Sequence, residues 1–345
     1  MNLRRLVFIV ILMAMISSHR VTHAGTRIEG FTDAQAQANA APFDSVGLLL
    51  GKNFLCSGTL IADEWVLSAA HCLDRGKASH FSFEVGGDTF TGSQKFVHPA
   101  WSGNLVAGND IALLKLSIPS NSPPTVTPSN LWSPSNGSEV GKQAVAAGFG
   151  RGGTGVTGAQ GGVGVKRAGS NTIDATGDQY GLASGILLLD FDDPINSPYD
   201  NGNNFGLADP ISEEYSIAPG DSGGPLFVHD GSEYLVAGVH SFGWGRLDGD
   251  PNADYDDAFG STKVSDFLPW IESIISPSGG GDDGGGTDGG GGGRGGGRGG
   301  GGGRPFNVSS YEFTSLTAPV PEPASGTMAL LAFLGLTLLR CRRAA

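Results

Sequence analysis

The 345-residue chain has little cysteine, and this scarcity limits what can hold its fold together. Three cysteines are too few for a disulfide-rich scaffold or for two zinc sites, and their odd number allows at most one bridge within the chain. The fold must therefore depend on a buried core, for which a chain of this length has ample residues.

Basic side chains are also scarce. The chain carries 21 Lys and Arg against 34 Asp and Glu, which gives a formal net charge of −13. Residues 28–276 are more acidic still, with 29 acidic and 11 basic side chains. Such a surface repels a phosphate backbone, so we expect no nucleic-acid partner.

The first 24 residues have the pattern of a secretory signal peptide. Arg4 and Arg5 precede an apolar run from Leu6 to Ile16, and polar residues follow up to Ala24. The apolar run is short for a membrane span, which disfavours a retained anchor. The pattern predicts export and cleavage after Ala24.

Residues 277–319 have the composition of a flexible linker. From Gly279 to Arg304 there are 19 glycines in 26 residues, so this stretch has no apolar surface to offset the entropy of ordering it. Its three arginines are similar to RGG segments that bind RNA, but the acidic, exported context favours the linker interpretation.

Residues 320–345 resemble the bacterial PEP-CTERM sorting signal, with Pro321-Glu322-Pro323, an apolar run from Ala329 to Leu339 and a basic end from Arg340 to Arg343. A helix from Gly326 to Leu339 would be about 21 Å long, shorter than a hydrocarbon core of about 30 Å, so the pattern predicts transient membrane contact. The resemblance implies an exosortase-type processing enzyme and a location in the periplasm, at the cell surface or in the extracellular matrix. A plain C-terminal anchor is the alternative.

The middle of the chain predicts an all-β domain. Short apolar runs alternate with Gly, Pro, Asn and Asp clusters, and only the end piece has helical periodicity, with Ser265 as its expected N-cap. The predicted strands are Ser45 to Leu50, Phe54 to Ile61, Trp65 to Ser68, Phe81 to Val85, Ile111 to Leu116, Gln143 to Gly148, Ile186 to Phe191, Pro225 to His229 and Tyr234 to Ser241.

Three separated motifs carry chemistry-bearing residues. Ser68-Ala69-Ala70-His71-Cys72 presents a histidine, Asn109-Asp110-Ile111-Ala112-Leu113 places a carboxylate before an apolar run, and Gly220-Asp221-Ser222-Gly223-Gly224 sets a serine among glycines. Their joint occurrence in this order resembles the trypsin-like (chymotrypsin-fold) serine proteases. The resemblance covers most of residues 28–276 and implies two antiparallel Greek-key β-barrels with a short C-terminal helix.

The chemistry explains these residue types. A serine hydroxyl is a weak nucleophile at neutral pH and needs a base whose pKa lies near 7. The resemblance implies His71 as that base, Asp110 as its orienting carboxylate and Ser222 as the nucleophile, with the amides of Gly220 and Ser222 as the oxyanion hole.

The resemblance also implies a disulfide and an activation step. Cys56 and Cys72 occupy the positions of the histidine-loop bridge, with two reduced cysteines as the alternative. Arg27-Ile28-Glu29-Gly30 is similar to an activation site, so residues 25–27 are a possible propeptide. Cleavage there would free the Ile28 ammonium to pair with Asp221, whereas a signal-peptide cut that leaves Arg27 in place would not.

Specificity is predicted from the same resemblance. The bottom of the primary pocket is expected at Ser216, which carries no charge for a substrate Lys or Arg. Ser241-Phe242-Gly243 is similar to the substrate-binding strand, and Ser216 with Gly243 would suit an apolar or aromatic side chain. An inward Phe259 would instead narrow the pocket to small side chains.

Two acidic clusters are the candidate cation sites. Asp190, Asp192, Asp193 and Asp200 form one, and Asp248, Asp250, Asn252, Asp254 and Asp256 form the other. The second opens with the spacing of a calcium loop, but Ala253 replaces its turn glycine and Phe259 its bidentate Glu. We therefore predict solvated acidic loops, no metal and no cofactor, with structural calcium as the alternative.

The sequence thus predicts a secreted, monomeric serine endopeptidase that acts on proteins or peptides through an acyl-enzyme, and not specifically after Lys or Arg. The alternative is a protease-fold adhesin or matrix-binding protein with weak or no turnover.

Overall fold

The computed structural model describes residues 25–119, 122–193, 210–245 and 249–276, together with the backbone of residues 308–309. The predicted signal peptide, the sorting tail and nearly all of the linker lie outside these ranges, and so do Asp200 and Asp248. No helix within the described ranges combines the length and the hydropathy needed to cross a bilayer.

Short strands dominate the described residues. Those before residue 120 are β1 (Gly25–Arg27), β2 (Val46–Leu50), β3 (Leu55–Ala62), β4 (Trp65–Ser68), β5 (Ser82–Val85), β6 (Asp88–Val97) and β7 (Ala112–Ser117). The later ones are β8 (Gln143–Gly148), β9 (Gly152–Thr154), β10 (Arg167–Thr172), β11 (Ala175–Thr176), β12 (Ile186–Asp190), β13 (Tyr215–Ser216), β14 (Pro225–His229), β15 (Tyr234–Trp244), β16 (Ala258–Lys263) and β17 (Val308–Ser309).

The α-helices of the described residues are short. They are α1 (Asp33–Ala40), α2 (Ala70–Leu73) and α3 (Leu268–Ile275). Single 3₁₀ turns span Ala78–His80, Leu105–Ala107, Pro134–Asn136, Gly177–Tyr180 and Val264–Asp266.

The first sheet is a closed antiparallel barrel in the order β2-β3-β4-β7-β6-β5. Leu49, Leu60 and Phe83 are fully buried and belong to one hydrophobic cluster that fills it. Closure pairs the strand edges with one another, so the barrel leaves no unpaired edge.

The second sheet is a curled half-barrel whose hydrogen-bonded order is β10-β8-β14-β15-β16-β12-β11, and β17 pairs with β15. Leu187, Leu189 and Leu226 lie in its buried cluster. The predicted all-β, chymotrypsin-like class is therefore confirmed, and each of the nine predicted strands corresponds to an observed one within a few residues.

A third, small sheet contains residues 25–27. Strand β1 pairs antiparallel with β13 and parallel with β9. Thr26 is fully buried, and the carbonyl of Arg27 accepts a hydrogen bond from the Gly155 amide at 3.0 Å. In the uncleaved chain the predicted activation bond after Arg27 is therefore part of a hydrogen-bonded segment.

The helices differ in two ways from those predicted from the sequence. Helix α1 was not predicted, although Thr32 and Gln35 form a capping box at its start. The prediction that Ser265 caps the C-terminal helix is wrong, because Phe267 holds the cap position without a side-chain cap bond. The Ser265 hydroxyl instead donates to Glu139 Oε1 at 2.6 Å, which satisfies two buried polar groups at once.

Candidate active site

Helix α2 places His71 at the end of β4. Strand β4 is buried throughout, and Ala69 is extended before the chain turns into the four-residue helix. The His71 side chain is 12% exposed and its Nδ1 lies 2.7 Å from Asp110 Oδ2. The His71 amide also donates to Asp110 Oδ1 at 2.8 Å, so two contacts fix the ring against this carboxylate.

Asp110 is fully buried immediately before β7. Besides His71, the Ser241 hydroxyl donates to its Oδ2 at 2.6 Å. Thr262 Oγ1 donates to the Asp110 carbonyl at 3.0 Å. Ser241 was predicted to bind substrate, and its contact with Asp110 was not predicted, because the two residues lie far apart in the chain and no local pattern links them.

Ser222 lies beside the helix that carries His71. Its carbonyl accepts a hydrogen bond from the Ser57 amide at 2.8 Å and lies 3.7 Å from Cys72 Sγ. Gly223 has a φ of +79°, and a methyl group built on it would come within 2.1 Å of Ser68 Oγ. The turn that bears Ser222 therefore packs against the residues that lead into α2, so Ser222 lies next to the helix that carries His71.

The turn before Ser222 is tight, and within the described ranges two of its amides donate no hydrogen bond. Gly220 has a φ of +101°, and its carbonyl accepts a hydrogen bond from Ser57 Oγ at 3.0 Å. The Asp221 amide donates to the Ala218 carbonyl at 2.9 Å. Within the described ranges neither the Gly220 amide nor the Ser222 amide donates to another residue, as an oxyanion-binding pair requires.

Asp221 is buried beneath this turn. Its Oδ1 accepts from the Gly150 amide at 2.8 Å and its Oδ2 from the Ala218 amide at 2.9 Å. Burial raises the pKa of Asp221 to about 7, although these two bonds favour the ionised form. In the uncleaved chain the Ile28 amide donates to the Glu214 carbonyl at 3.1 Å, so a bond between Ile28 and Asp221 stays a prediction for the cleaved protein.

The predicted pocket residues are buried, Ser216 in the small third sheet and Phe242 and Phe259 in the half-barrel. Ser216, Phe242 and Phe259 are each 0% exposed. The Phe242 ring covers Gly260, where an added methyl group would lie 2.3 Å from the ring. Gly243 pairs with Phe259 on one side and with Ser309 on the other.

His240 is a residue of this region that the sequence argument did not select. It is fully buried, its Nδ1 lies 3.1 Å from Ser261 Oγ and its ring meets Phe259 edge-on at 6.1 Å. Burial lowers the pKa of His240 to about 3, so the imidazole is neutral. Its position next to Ser241 is the only signal that the sequence offered.

The disulfide between Cys56 and Cys72 is confirmed. His71 lies close to both sulfur atoms, but two cysteines bonded to each other offer no thiolate for a metal ion. The bridge ties β3 to α2 and thereby holds the histidine helix on the barrel.

The acidic clusters differ from the predicted solvated loops. Asp190 and Asp192 are 2% exposed and Asp256 is 9% exposed. The prediction of solvation is therefore wrong for these three residues. Asp190 is the last residue of β12 and pairs with Ala258 of β16, and the Asp256 amide donates to the Phe191 carbonyl at 3.0 Å, so the sheet holds this segment inside the protein.

Comparison with known proteins agrees with this geometry. The family model for trypsin matches residues 31–271. Over 258 residues the chain is 28% identical to the anionic trypsin of Bos taurus, covering 72% of this chain and 89% of that protein. It is 29% identical to the trypsin of Squalus acanthias over 246 residues, which cover 69% of this chain and 92% of that one. It is also 35% identical to chymotrypsin-like elastase family member 1 of Macaca fascicularis, over 33% of this chain and 47% of that protein. The chain therefore belongs to the trypsin family of serine proteases.

Proposed function

We propose that the chain is an exported serine endopeptidase that cleaves peptide bonds through an acyl-enzyme on Ser222. The observation that carries this proposal is the buried pair of His71 and Asp110, joined at 2.7 Å beside the turn that bears Ser222. A hydrogen-bonded base next to a serine in a glycine turn is the arrangement that nucleophilic acyl transfer needs.

In the proposed reaction, His71 Nε2 takes the proton of Ser222 Oγ as that oxygen forms a bond to the substrate carbonyl carbon. Asp110 holds Nδ1–H and stabilises the imidazolium that results. The amides of Gly220 and Ser222 bind the oxyanion, and each such donor is worth about 3 to 4 kcal/mol of barrier. His71 then returns the proton to the leaving amine, and a water molecule hydrolyses the ester by the same steps in reverse.

We infer a preference for small side chains at the cleavage site. Ser216 offers a hydroxyl group and no negative charge, which disfavours Lys and Arg. Phe259 is fully buried with its ring edge-on to His240 at 6.1 Å, and we propose that this ring closes the pocket to large side chains. A peptide-library profile should show Ala, Ser or Val before the cleaved bond, and dominant cleavage after Lys or Arg would contradict the proposed pocket.

The ends of the chain support export and processing. The first 24 residues have the composition of a signal peptide, and residues 320–345 have the order of a PEP-CTERM signal. We propose removal of the tail by an exosortase-type enzyme and a final location outside the cytoplasm. Mass determination of the C-terminus in an exporting host tests this step.

A fluorophosphonate probe tests the proposed function directly. The wild type should become covalently labelled and Ser222→Ala should not. Ser232→Ala, a change on an exposed loop, is the matched control and should label like the wild type. A folded wild type that resists labelling, or a Ser222→Ala variant that still labels, would overturn the assignment.

A further inference from the structure

Asp221 is a buried acid with no ion-pair partner among the described residues. It is 1% exposed, and its side chain accepts hydrogen bonds from the amides of Gly150 and Ala218. The described cation that acts on it is Arg167, whose guanidinium group is paired with Asp33 instead. A buried carboxylate is normally paired with a positive charge, so this position calls for one.

The antiparallel partner of β1 runs toward Asp221 at the Gly25 end of the strand. Thr26 pairs with Ser216, so Gly25 lies beyond this pair, on the side where the chain continues to Ala218. The Ala218 amide is the donor to Asp221 Oδ2. Gly25 is itself buried. The first residue of β1 therefore lies at the end of the strand that faces this carboxylate.

The parallel partner, β9, leads to the same carboxylate. Gly25 pairs with Gly152, two residues after Gly150, whose amide donates to Asp221 Oδ1 at 2.8 Å. A methyl group built on Gly25 would lie 1.8 Å from the Tyr215 hydroxyl oxygen, and the charge of Asp221 acts on that hydroxyl group. Gly25 also has a φ of +60°, so glycine alone suits this position. Both partner strands and the Tyr215 ring thus place Gly25 in the surroundings of Asp221.

Ile28, the residue whose amino group was expected to pair with Asp221, lies at the opposite end of this segment. Its amide donates to the Glu214 carbonyl at 3.1 Å. It is three residues from Gly25, which is about 10 Å at the rise of a β-strand. Arg27, on the other side of the expected cleavage, is hydrogen-bonded through its carbonyl and its guanidinium group. Ile28 could reach Asp221 only if the strand left both of its partners.

We propose that Asp221 pairs with the α-ammonium group of Gly25, so that removal of the signal peptide after Ala24 is itself the activating cleavage. The inference rests on the proposed peptidase function and on the cleavage site predicted from the sequence. Water hydrolyses the bond between Ala24 and Gly25 in signal peptidase, which leaves a carboxylate on Ala24 and an amino group on Gly25. That amino group has an ordinary pKa of about 8 and takes up a proton at neutral pH.

The ion pair forms directly beneath the turn that carries the proposed oxyanion hole. Asp221 lies between Gly220 and Ser222, and its side chain is anchored to the amides of two other loops. A positive charge at Gly25 fixes this side chain and with it the direction of the amides on either side. Export and activation are then one step, and cleavage after Arg27 is not needed.

Two substitutions separate the two candidate cleavages. Ala24→Phe removes the small residue that signal peptidase requires, and the uncleaved protein should react with a fluorophosphonate about a hundredfold more slowly, the cost of one misplaced oxyanion donor. Arg27→Gln removes the basic residue at the other bond and should label like the wild type. His23→Phe, at the position that signal peptidase does not read, is the matched control and should be processed and labelled normally.

The opposite pattern would overturn the proposal. Full labelling of uncleaved Ala24→Phe would show that a free Gly25 amino group is not required. Loss of labelling in folded Arg27→Gln would show that the bond after Arg27 is the activating one. N-terminal sequencing of the labelled wild type should give Gly25 as its first residue, and a sequence that begins at Ile28 would also overturn the pairing.

Chemical protection of the amino group tests the contact without the use of activity. Acetic anhydride at neutral pH should modify the Gly25 amino group of the folded wild type at least about tenfold more slowly than that of Asp221→Asn, because reaction requires local opening against the ion pair. The wild type in urea is a second reference and should react as fast as a short peptide. Asp178→Asn, which changes an exposed acid, is the matched control and should stay protected.

The two readouts distinguish this pairing from the proposed function. A wild type that resists the fluorophosphonate but keeps a protected Gly25 amino group would overturn the peptidase function and support the ion pair. A wild type that labels, but whose Gly25 amino group reacts equally fast when folded and in urea, would overturn the ion pair and support the peptidase function.

Discussion

The carboxylate of Asp110 accepts three hydrogen bonds inside the protein. Two come from His71 and one from the Ser241 hydroxyl. With the carboxylate ionised, His71 Nδ1 is the donor, which leaves Nε2 as the proton acceptor of the neutral ring. A single residue thus sets both the orientation and the tautomer of the base.

Asp110→Asn should lower kcat while leaving the fold intact. The amide nitrogen would donate to Nδ1 and force the opposite tautomer, and the same exchange in other Ser-His-Asp hydrolases lowers kcat about 10⁴-fold. Steady-state kinetics on a peptide substrate measure the loss. Asp230→Asn, on an exposed turn, serves as control, and comparable kcat values for Asp110→Asn and the wild type would contradict the assigned role.

His240→Gln should make the free energy of unfolding less dependent on pH below about pH 6.5. The folded pKa of about 3 lies below the ordinary 6.5, so the unfolded chain takes up a proton that the buried ring refuses. The contribution of the neutral His240 ring to the free energy of unfolding is therefore complete above pH 6.5 and is lost as pH falls toward 3. At about pH 5 the loss is roughly 2 kcal/mol.

Urea unfolding at about pH 7.5 and about pH 5 measures this effect as a difference between wild type and variant. The comparison is needed because Asp221 acts in the opposite direction. Its raised pKa of about 7 makes stability fall as pH rises from 3.8 toward 7. Equal pH dependence in both proteins would show that His240 does not contribute.

Among the elements, α2 depends on its neighbours more than on its own sequence. A helix of four residues has no stability of its own, since nucleation alone outweighs its few hydrogen bonds. It is held by the bond from the His71 amide to Asp110 and by the disulfide to β3. The helix that carries His71 is thus positioned by Asp110, which precedes β7, and by strand β3.

Replacing both Cys56 and Cys72 by alanine should lower the free energy of unfolding by about 3 kcal/mol. The bridge closes a loop of 16 residues in sequence separation, and the chain-entropy model gives this cost for that length. Urea denaturation of the two proteins measures it. An unchanged midpoint would mean that the bridge does not restrain the unfolded chain.

Helix α1 is tied to the half-barrel by an ion pair. Asp33 in its first turn pairs with Arg167 of β10, whose side chain is fully buried. Loss of either partner would leave the other charge buried and unpaired. The pair therefore helps to hold α1, a short helix with weak amphipathicity, against β10.

For the whole molecule, residues 308–309 of the predicted linker pair with the protease domain. Val308 pairs with Trp244 and Ser309 with Gly243, antiparallel to β15. Gly243 belongs to the strand predicted to bind substrate. An added strand there uses the main-chain hydrogen bonds that an extended peptide would use.

Prolines at both Val308 and Ser309 should lower KM for a peptide substrate in the full chain, with kcat unchanged. Proline cannot donate to a strand ladder, so residues 308–309 would release the strand edge at Gly243. Prolines at Gly290 and Gly291 in the linker provide the control. An unchanged KM would mean that residues 308–309 do not compete with substrate.

The sequence by itself determined the all-β class and nine strands. Its motifs also identified the family and the residues His71, Asp110 and Ser222, to which we assign the proposed chemistry. It could do so because motif spacing and alternating hydrophobicity are local properties of the chain. Strands β6, β10 and β16 were not predicted, because they contain many polar residues and form strands only through pairing with their neighbours.

Only the tertiary structure decided which distant polar groups meet. Ser241 bonds Asp110 across 131 positions, and Asp174 joins Asp190 and Glu214 from separate segments. The burial of Asp192, which looked like part of a solvated loop, also follows from packing. Desolvation and hydrogen bonding depend on neighbours in space, and these neighbours exist only once the barrel and the half-barrel have formed.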